Sequence, residues 1–346
     1  MNPLIWALLI SSLSTSTIIT MSSHHWLLAW LGLELNTLSI LPIITKPHSP
    51  RATEAATKYF IVQATAAALI LFASTFNAWK TGQWTIIHSP LTTTNNIIIA
   101  AILLKMGVAP AHLWYPDVIQ GSSMTTALVI STWQKFAPLS ILYMTINYLP
   151  QSTLLVAGLI STLIGGLGGL NQTQTRKIMA FSSISHMGWL IISLMLNPKL
   201  TTLTLITYTI LTTSMFLTLS VTKVKTILDM GMNWSYSTPM LATMMITLMS
   251  LGGLPPLTGF TPKMLILNNM MLPNLIIHST ILALTTLPSL FFYVRITYLT
   301  MLTIPPATTN TQHNWRLKPN LYASLTTIMM LSITLLPITP LLYQHL

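Results

Sequence analysis

Apolar runs of about membrane-spanning length alternate with short polar stretches along almost the whole chain. A helix needs about 20 mainly apolar residues to cross the hydrocarbon core of a bilayer. Eleven runs meet that requirement, at 3–21, 24–45, 57–79, 95–115, 124–146, 152–171, 177–196, 200–221, 238–270, 275–298 and 320–344. The pattern predicts an all-α polytopic membrane protein of about eleven transmembrane helices. The ninth run is too long for one crossing and holds Gly252-Gly253-Leu254-Pro255-Pro256, so two half-helices are expected there. The fourth holds Gly107 and Pro110 and is expected to break as well. Proline marks the connections, at Pro47, Pro50, Pro90, Pro150, Pro198, Pro305, Pro306 and Pro319. No run resembles a soluble domain or a long linker.

Composition sharpens this reading. The 346 residues include only 15 Lys or Arg and 4 Asp or Glu, whereas about a quarter of a soluble domain is charged. The mean hydropathy of +0.68 agrees. Cysteine is absent, which excludes disulfides, thiolate zinc sites and iron–sulfur ligation by this chain. The formal net charge is +11, but its basic residues are dispersed in short loops without interleaved aromatics. Nucleic-acid binding is therefore set aside, and the charge reads as topology. Lys46, Arg51, Lys58, Arg176, Lys177, Lys223, Lys225, Arg316 and Lys318 fall on one face, against Lys80 and Lys199 on the other. The positive-inside rule puts the N-terminus on the basic face and, after an odd number of crossings, the C-terminus opposite. The N-terminus lacks the basic region of a cleavable targeting segment.

An offset of about 145 residues lays the first five spans over the next five and Gly107-Val108-Ala109-Pro110 over Gly252-Gly253-Leu254-Pro255. Pro116 and Pro262 follow at similar distances. The expected organisation is a repeat over 1–146, a second over 152–298 and a C-terminal helix at 320–344. Five crossings are odd, so the two repeats would be inverted. Interrupted helices paired in inverted repeats point to a transporter core.

Charges inside a membrane are rare and usually functional. Glu34, Lys105 and Lys135 lie centrally in their apolar runs, and Lys263 follows the break in the ninth. One carboxylate and three amines on separate helices suggest a chain of titratable groups, with a Glu34–Lys105 contact as a coupling device. A static ion pair, a snorkelling Lys135 and a loop position for Lys263 are the plainer readings. His112 follows the first break and His186 lies within the seventh run, where imidazoles can link lysines in a proton path or serve as neutral hydrogen-bonding groups. Arg295, near a helix end, can snorkel. Asp117, Asp229 and Glu54 read as loop salt-bridge partners. No dinucleotide, phosphate-loop or nucleophile motif occurs. Gly165-Gly166-Leu167-Gly168-Gly169 has no strand before it and reads as close helix packing.

The run Lys105-Met106-Gly107-Val108-Ala109-Pro110-Ala111-His112-Leu113-Trp114 resembles the broken-helix motif of the antiporter-like subunits of respiratory complex I. So do Glu34 between Leu33 and Leu35, the run from Phe181 to Gly188, and the run from Ser250 to Phe260. The likeness covers essentially the whole chain. It implies a coupling pair at Glu34 and Lys105, and a path continued by Lys135 and Lys263. Eleven spans fit the animal form of the family rather than the longer bacterial one. The resemblance further implies the mitochondrial inner membrane, with the N-terminus on the matrix side and the C-terminus on the intermembrane-space side. It implies proton translocation coupled to electron transfer from NADH to ubiquinone. NADH, FMN, iron–sulfur clusters and ubiquinone would then be handled by other subunits, with no cofactor in this chain. Implied partners are other membrane-arm subunits, sister antiporter-like subunits among them, and a bilayer containing cardiolipin. The competing function is a free-standing cation/proton antiporter, which usually needs further membrane carboxylates.

Overall fold

In a bilayer each backbone polar group must find its partner within the protein, which leaves helices as the available form for such runs. The computed structural model describes residues 3–87, 91–232, 238–302 and 323–345, and among these it contains helices and no strand. Pro90, Pro305, Pro306, Pro319, Arg316, Lys318 and residues 320–322 of the last expected span lie outside the described residues.

The chain forms two compact units, Met1–Ala157 and Gly158–Leu346. The first contains α1 (Pro3–Ser22), α2 (Trp26–Thr45), α3 (Pro50–Thr81), α4 (Thr92–Met106), α5 (Trp114–Gly121), α6 (Met124–Ser131) and α7 (Phe136–Thr145). Helix α8 (Gln151–Leu170) runs across the boundary between units. The second unit continues with α9 (Thr175–Leu196), α10 (Pro198–Thr222), α11 (Ile227–Met232), α12 (Thr238–Gly252), α13 (Phe260–Met271), α14 (Ile276–Leu302) and α15 (Ala323–His345). Eight of these helices are long and apolar enough to cross a membrane without interruption. The expected runs at 95–115, 124–146 and 238–270 are the interrupted crossings.

Sequence punctuation explains the ends. Ser49 caps α3 by accepting from the Ala52 N–H, with Pro50 in the first turn, and Asn197 caps α10 in the same way ahead of Pro198. Gly82 closes α3 in the left-handed region. Buried threonines and serines fold their hydroxyls back onto carbonyls of the preceding turn, as Thr17 does to Ser14 O (2.8 Å) and Thr218 to Met215 O (2.7 Å). Polar side chains thus enter the apolar interior with their donors satisfied.

Helices α1, α2 and α3 pack in sequence, and α3 also packs on α4 and α5. At Gly32 a Cβ would lie 2.6 Å from Thr20 Cγ2, so the α1–α2 approach requires glycine. In the second unit α10 packs against α9, α12 and α15. Met240, Leu325 and Met329 form a buried cluster that ties α15 into this unit. The glycine run of α8 is a packing surface, as expected: a Cβ at Gly165 would meet Ser185 N at 2.6 Å, and one at Gly169 would meet Phe292.

Two expectations need correction. The fifth run is not one helix, because a 3₁₀ turn at Trp133–Lys135 separates α6 from α7. Pro138 supplies the reason. It has no N–H for the Gln134 carbonyl four residues back, and its ring presses on that carbonyl. The chain tightens ahead of it, with Lys135 N donating to Thr132 O at 3.3 Å. The register of the repeat also moves by one residue. Gly107 (φ 68°) and Gly253 (φ 85°) are the equivalent left-handed positions. Each turns the chain at the end of a half-helix, so the match is Gly107 to Gly253 rather than to Gly252.

Candidate functional site

The break after α4 is a Schellman turn. Gly107 N donates to Leu104 O (3.2 Å) and Val108 N to Leu103 O (3.0 Å). Two further bonds hold the end of the half-helix. Gln63 Nε2 of α3 donates to Lys105 O (3.3 Å), and Trp114 Nε1 of α5 donates to Leu104 O (3.2 Å). Lys105 itself is buried, and among the described residues its Nζ has no hydrogen-bond partner. It borders a cavity of about 10 Å³, lined also by Lys135, Gln134, Tyr59, Asn36 and Tyr115. That volume is about what a single water needs. Lys135 reaches the cavity from the 3₁₀ turn, with Nζ 4.9 Å from the centre of the Tyr115 ring. One polar chain spans the wall: Tyr59 Oη donates to Gln134 Oε1 (3.3 Å), and Gln134 Nε2 donates to Asn36 Oδ1 (2.9 Å).

Glu34 was expected to approach Lys105 directly or through water; among the described residues it forms no direct ion pair with it. It is half-buried on α2 and accepts from Thr37 Oγ1 at 3.1 Å. Among the described residues the ion pairs are those of Lys58, with Glu54 and with Asp117, at 2.8 Å each. His112 is buried after the break with Nδ1 3.2 Å from Pro110 O, and it does not line the cavity shared by Lys105 and Lys135. The structure thus brings Lys105 and Lys135 together and leaves His112 apart.

The second unit repeats the break with different chemistry. Gly253 N donates to Ser250 O (3.0 Å) and Leu254 N to Met249 O (3.4 Å). Here Lys263 of α13 supplies the additional donor, from Nζ to Gly252 O (3.0 Å) and Leu251 O (3.5 Å). Lys263 lies in a helix, not in a loop, and is buried. A cavity of about 30 Å³ adjoins it, lined by His186, Trp189, Thr204, Thr207 and Tyr208 among others. His186 and Lys263 thus share one cavity, and the His186 ring lies 5.6 Å from that of Tyr208. Arg295 donates to Leu170 O (2.6 Å), capping α8 rather than reaching for an interface. Asp229 accepts from the Thr226 and Lys225 N–H groups, and the Thr226 backbone bond above all holds its carboxyl below the usual carboxylate range.

Comparison with known proteins now decides the kinship. The family described as NADH:quinone oxidoreductase/Mrp antiporter, TM, matches residues 23–289. The chain belongs to this antiporter family. A second family, the NADH dehydrogenase subunit 2 C-terminus, matches residues 290–343. NADH-ubiquinone oxidoreductase chain 2 of Varanus melinus is 49% identical over 347 residues, 99% of this chain and 100% of the relative. The protein of the same description from Salmo salar is 49% identical over 98% of both chains. In structure, a chain of respiratory complex I from Thermus thermophilus is similar with a TM-score of 0.85 at 23% identity, over 98% of this chain and 79% of that one. A chain of the Mrp complex from Dietzia gives 0.82 at 15% identity, over 97% and 75%. These two likenesses establish the antiporter-family fold. Within that fold, sequence reasoning missed Gln63, Tyr59, Asn36 and Gln134. The available signal was an amide inside an apolar run, which is weaker than a charge because a single hydrogen bond satisfies much of it.

Proposed function

We propose that this chain carries protons across the mitochondrial inner membrane as a membrane-arm subunit of respiratory NADH:ubiquinone oxidoreductase. The observation that carries the reading is Lys105, a buried amine without a hydrogen-bond partner, on a water-sized cavity shared with Lys135. Ionisable side chains inside a membrane are rare and commonly mark proton paths. Lys105, Lys135 and Lys263 are the carriers, Glu34 biases Lys105 through its field, and His186 serves the Lys263 cavity. His112, turned to Pro110 O, is the weakest candidate link.

NADH, FMN, the iron–sulfur clusters and ubiquinone belong to other subunits in this reading, and the partners are sister antiporter-like subunits and a cardiolipin-containing bilayer. The N-terminus faces the matrix and the C-terminus the intermembrane space. The alternative, a free-standing cation/proton antiporter, draws on the likeness to the Mrp complex. Full-length relatives at 49% identity favour the first reading. Purification from native membranes separates the two: co-migration with NADH-oxidising activity is expected, and a stable assembly without it would overturn the proposal. In sealed vesicles, Lys105→Ala should assemble and lose proton pumping. Full assembly with unchanged pumping stoichiometry would end the relay role.

A further inference from the structure

The sequence places no charge at position 134, yet the structure makes it the junction of the first cavity. Pro138 disrupts the helix at the Gln134 carbonyl and leaves Lys135 on a single 3₁₀ turn between two short helices. A turn of this kind has few bonds of its own to fix its orientation. The side chain beside Lys135 provides two, tying the turn to α3 through Tyr59 Oη (3.3 Å) and to α2 through Asn36 Oδ1 (2.9 Å). Asn36 and Tyr59 are both buried. Gln134, Lys105 and Lys135 line the same cavity of about 10 Å³.

We propose that Gln134 is a positioning residue of the relay, which clamps the 3₁₀ turn to α2 and α3 so that Lys135 and Lys105 face one water-sized space. An amide suits this role. It donates on one side and accepts on the other, and it holds no proton of its own to compete with the lysines. The titratable groups facing the space are Lys105, Lys135, Tyr59 and Tyr115, and the carboxylate on α2 is Glu34, which accepts from Thr37.

The inference rests on the proton-relay reading and is tested in the assembled complex in sealed vesicles, reading NADH oxidation and proton uptake together. Misplacing a reacting group by an ångström costs on the order of a hundredfold in rate. Gln134→Leu is therefore expected to lower coupled pumping roughly tenfold or more, to shift its pH profile, and to add little when combined with Lys135→Ala. A defect of folding alone would lower the rate evenly across pH and add fully to Lys135→Ala. If Gln134→Leu fails to assemble, Tyr59→Phe removes one bond of the clamp and keeps the ring against Trp114; a loss of several-fold is expected from it. An assembled Gln134→Leu complex, or in its place Tyr59→Phe, with unchanged rate and pH profile overturns the proposal while Lys135→Ala remains defective. If Lys135→Ala itself pumps normally, the relay reading falls first and takes the clamp with it.

Discussion

The two helix breaks are alike in backbone and opposite in chemistry. Each follows a half-helix and turns through a left-handed glycine. Each exposes carbonyls at membrane depth that need partners within the protein. In the first unit neutral donors, Gln63 and Trp114, meet them, and the lysine of the half-helix is left without a hydrogen bond. In the second unit a lysine meets them itself, Lys263 to Gly252 O and Leu251 O. Counting from the glycines, the first-unit position that matches Lys263 is Asp117, which bonds Lys58 at 2.8 Å. Architecture therefore requires a donor at each break but not a particular one. Among the described residues the Lys105 amine adds no hydrogen bond to its break, whereas Lys263 bonds its own break and belongs to the proposed relay.

The sharpest way to break this comparison is to remove both amines. Lys105→Met and Lys263→Met are each expected to reduce coupled pumping on the order of a hundredfold, the scale of lost acid–base participation. Only Lys263→Met should also destabilise, by about 1–3 kcal/mol, because it orphans buried carbonyls. Thermal dissociation followed on native gels measures the difference, and equal stability losses would erase the distinction. Next comes Gln63→Leu, the mirror experiment. It should cost about 1–3 kcal/mol by orphaning Lys105 O, with a smaller loss of pumping by assembled complexes than Lys105→Met. Smaller still are the glycines. Gly253→Ala and Gly107→Ala should each cost about 1–2 kcal/mol for the left-handed backbone. Gly253→Ala should lose more pumping, since its Cβ would lie 2.8 Å from Lys263 Nζ, against 3.2 Å from Tyr115 at Gly107.

The smallest effect concerns the exposed connections at the basic face. The folded carboxyl of Asp229 titrates below its unfolded value. Its contribution is complete at neutral pH and is lost as pH falls through and below the ordinary carboxylate range. Asp229→Asn should therefore loosen the loop near neutral pH, read by backbone hydrogen exchange at Thr226, with the difference vanishing in acid. A difference that grew on acidification would contradict the capping geometry.

Much of this was legible in the sequence because lipid is a strict solvent. Runs of about twenty apolar residues have one outcome there, and both Gly-x-x-Pro breaks were visible. Proline alone was ambiguous. Pro42 and Pro288 sit inside continuous helices, whereas Pro138 forces a 3₁₀ turn. The difference lies in whether neighbours absorb the displaced carbonyl, which is a tertiary property. For the site, the charges named three amines and one carboxylate, but not their partners. The expected approach of Glu34 to Lys105, direct or through water, rested on two central charges in apolar helices, and the bond that the structure shows for the Glu34 carboxylate is from Thr37. The role of Gln134 depended on the strain that Pro138 places three residues beyond Lys135, a link invisible without coordinates.

The interruption of both crossings has an electrical consequence. The half-helix α4, of 15 residues, extends about 22 Å, against a hydrocarbon core about 30 Å thick. The broken ends therefore sit within the transmembrane voltage drop, not outside it. Moving one elementary charge through the whole drop changes its energy by about 2.3 kcal/mol per 100 mV. In the proposed relay, a proton held by Lys105 or Lys263 would have traversed only a fraction of that field. Occupancy of each lysine should accordingly respond to membrane potential, which makes each break a built-in voltmeter as well as a bend in the chain.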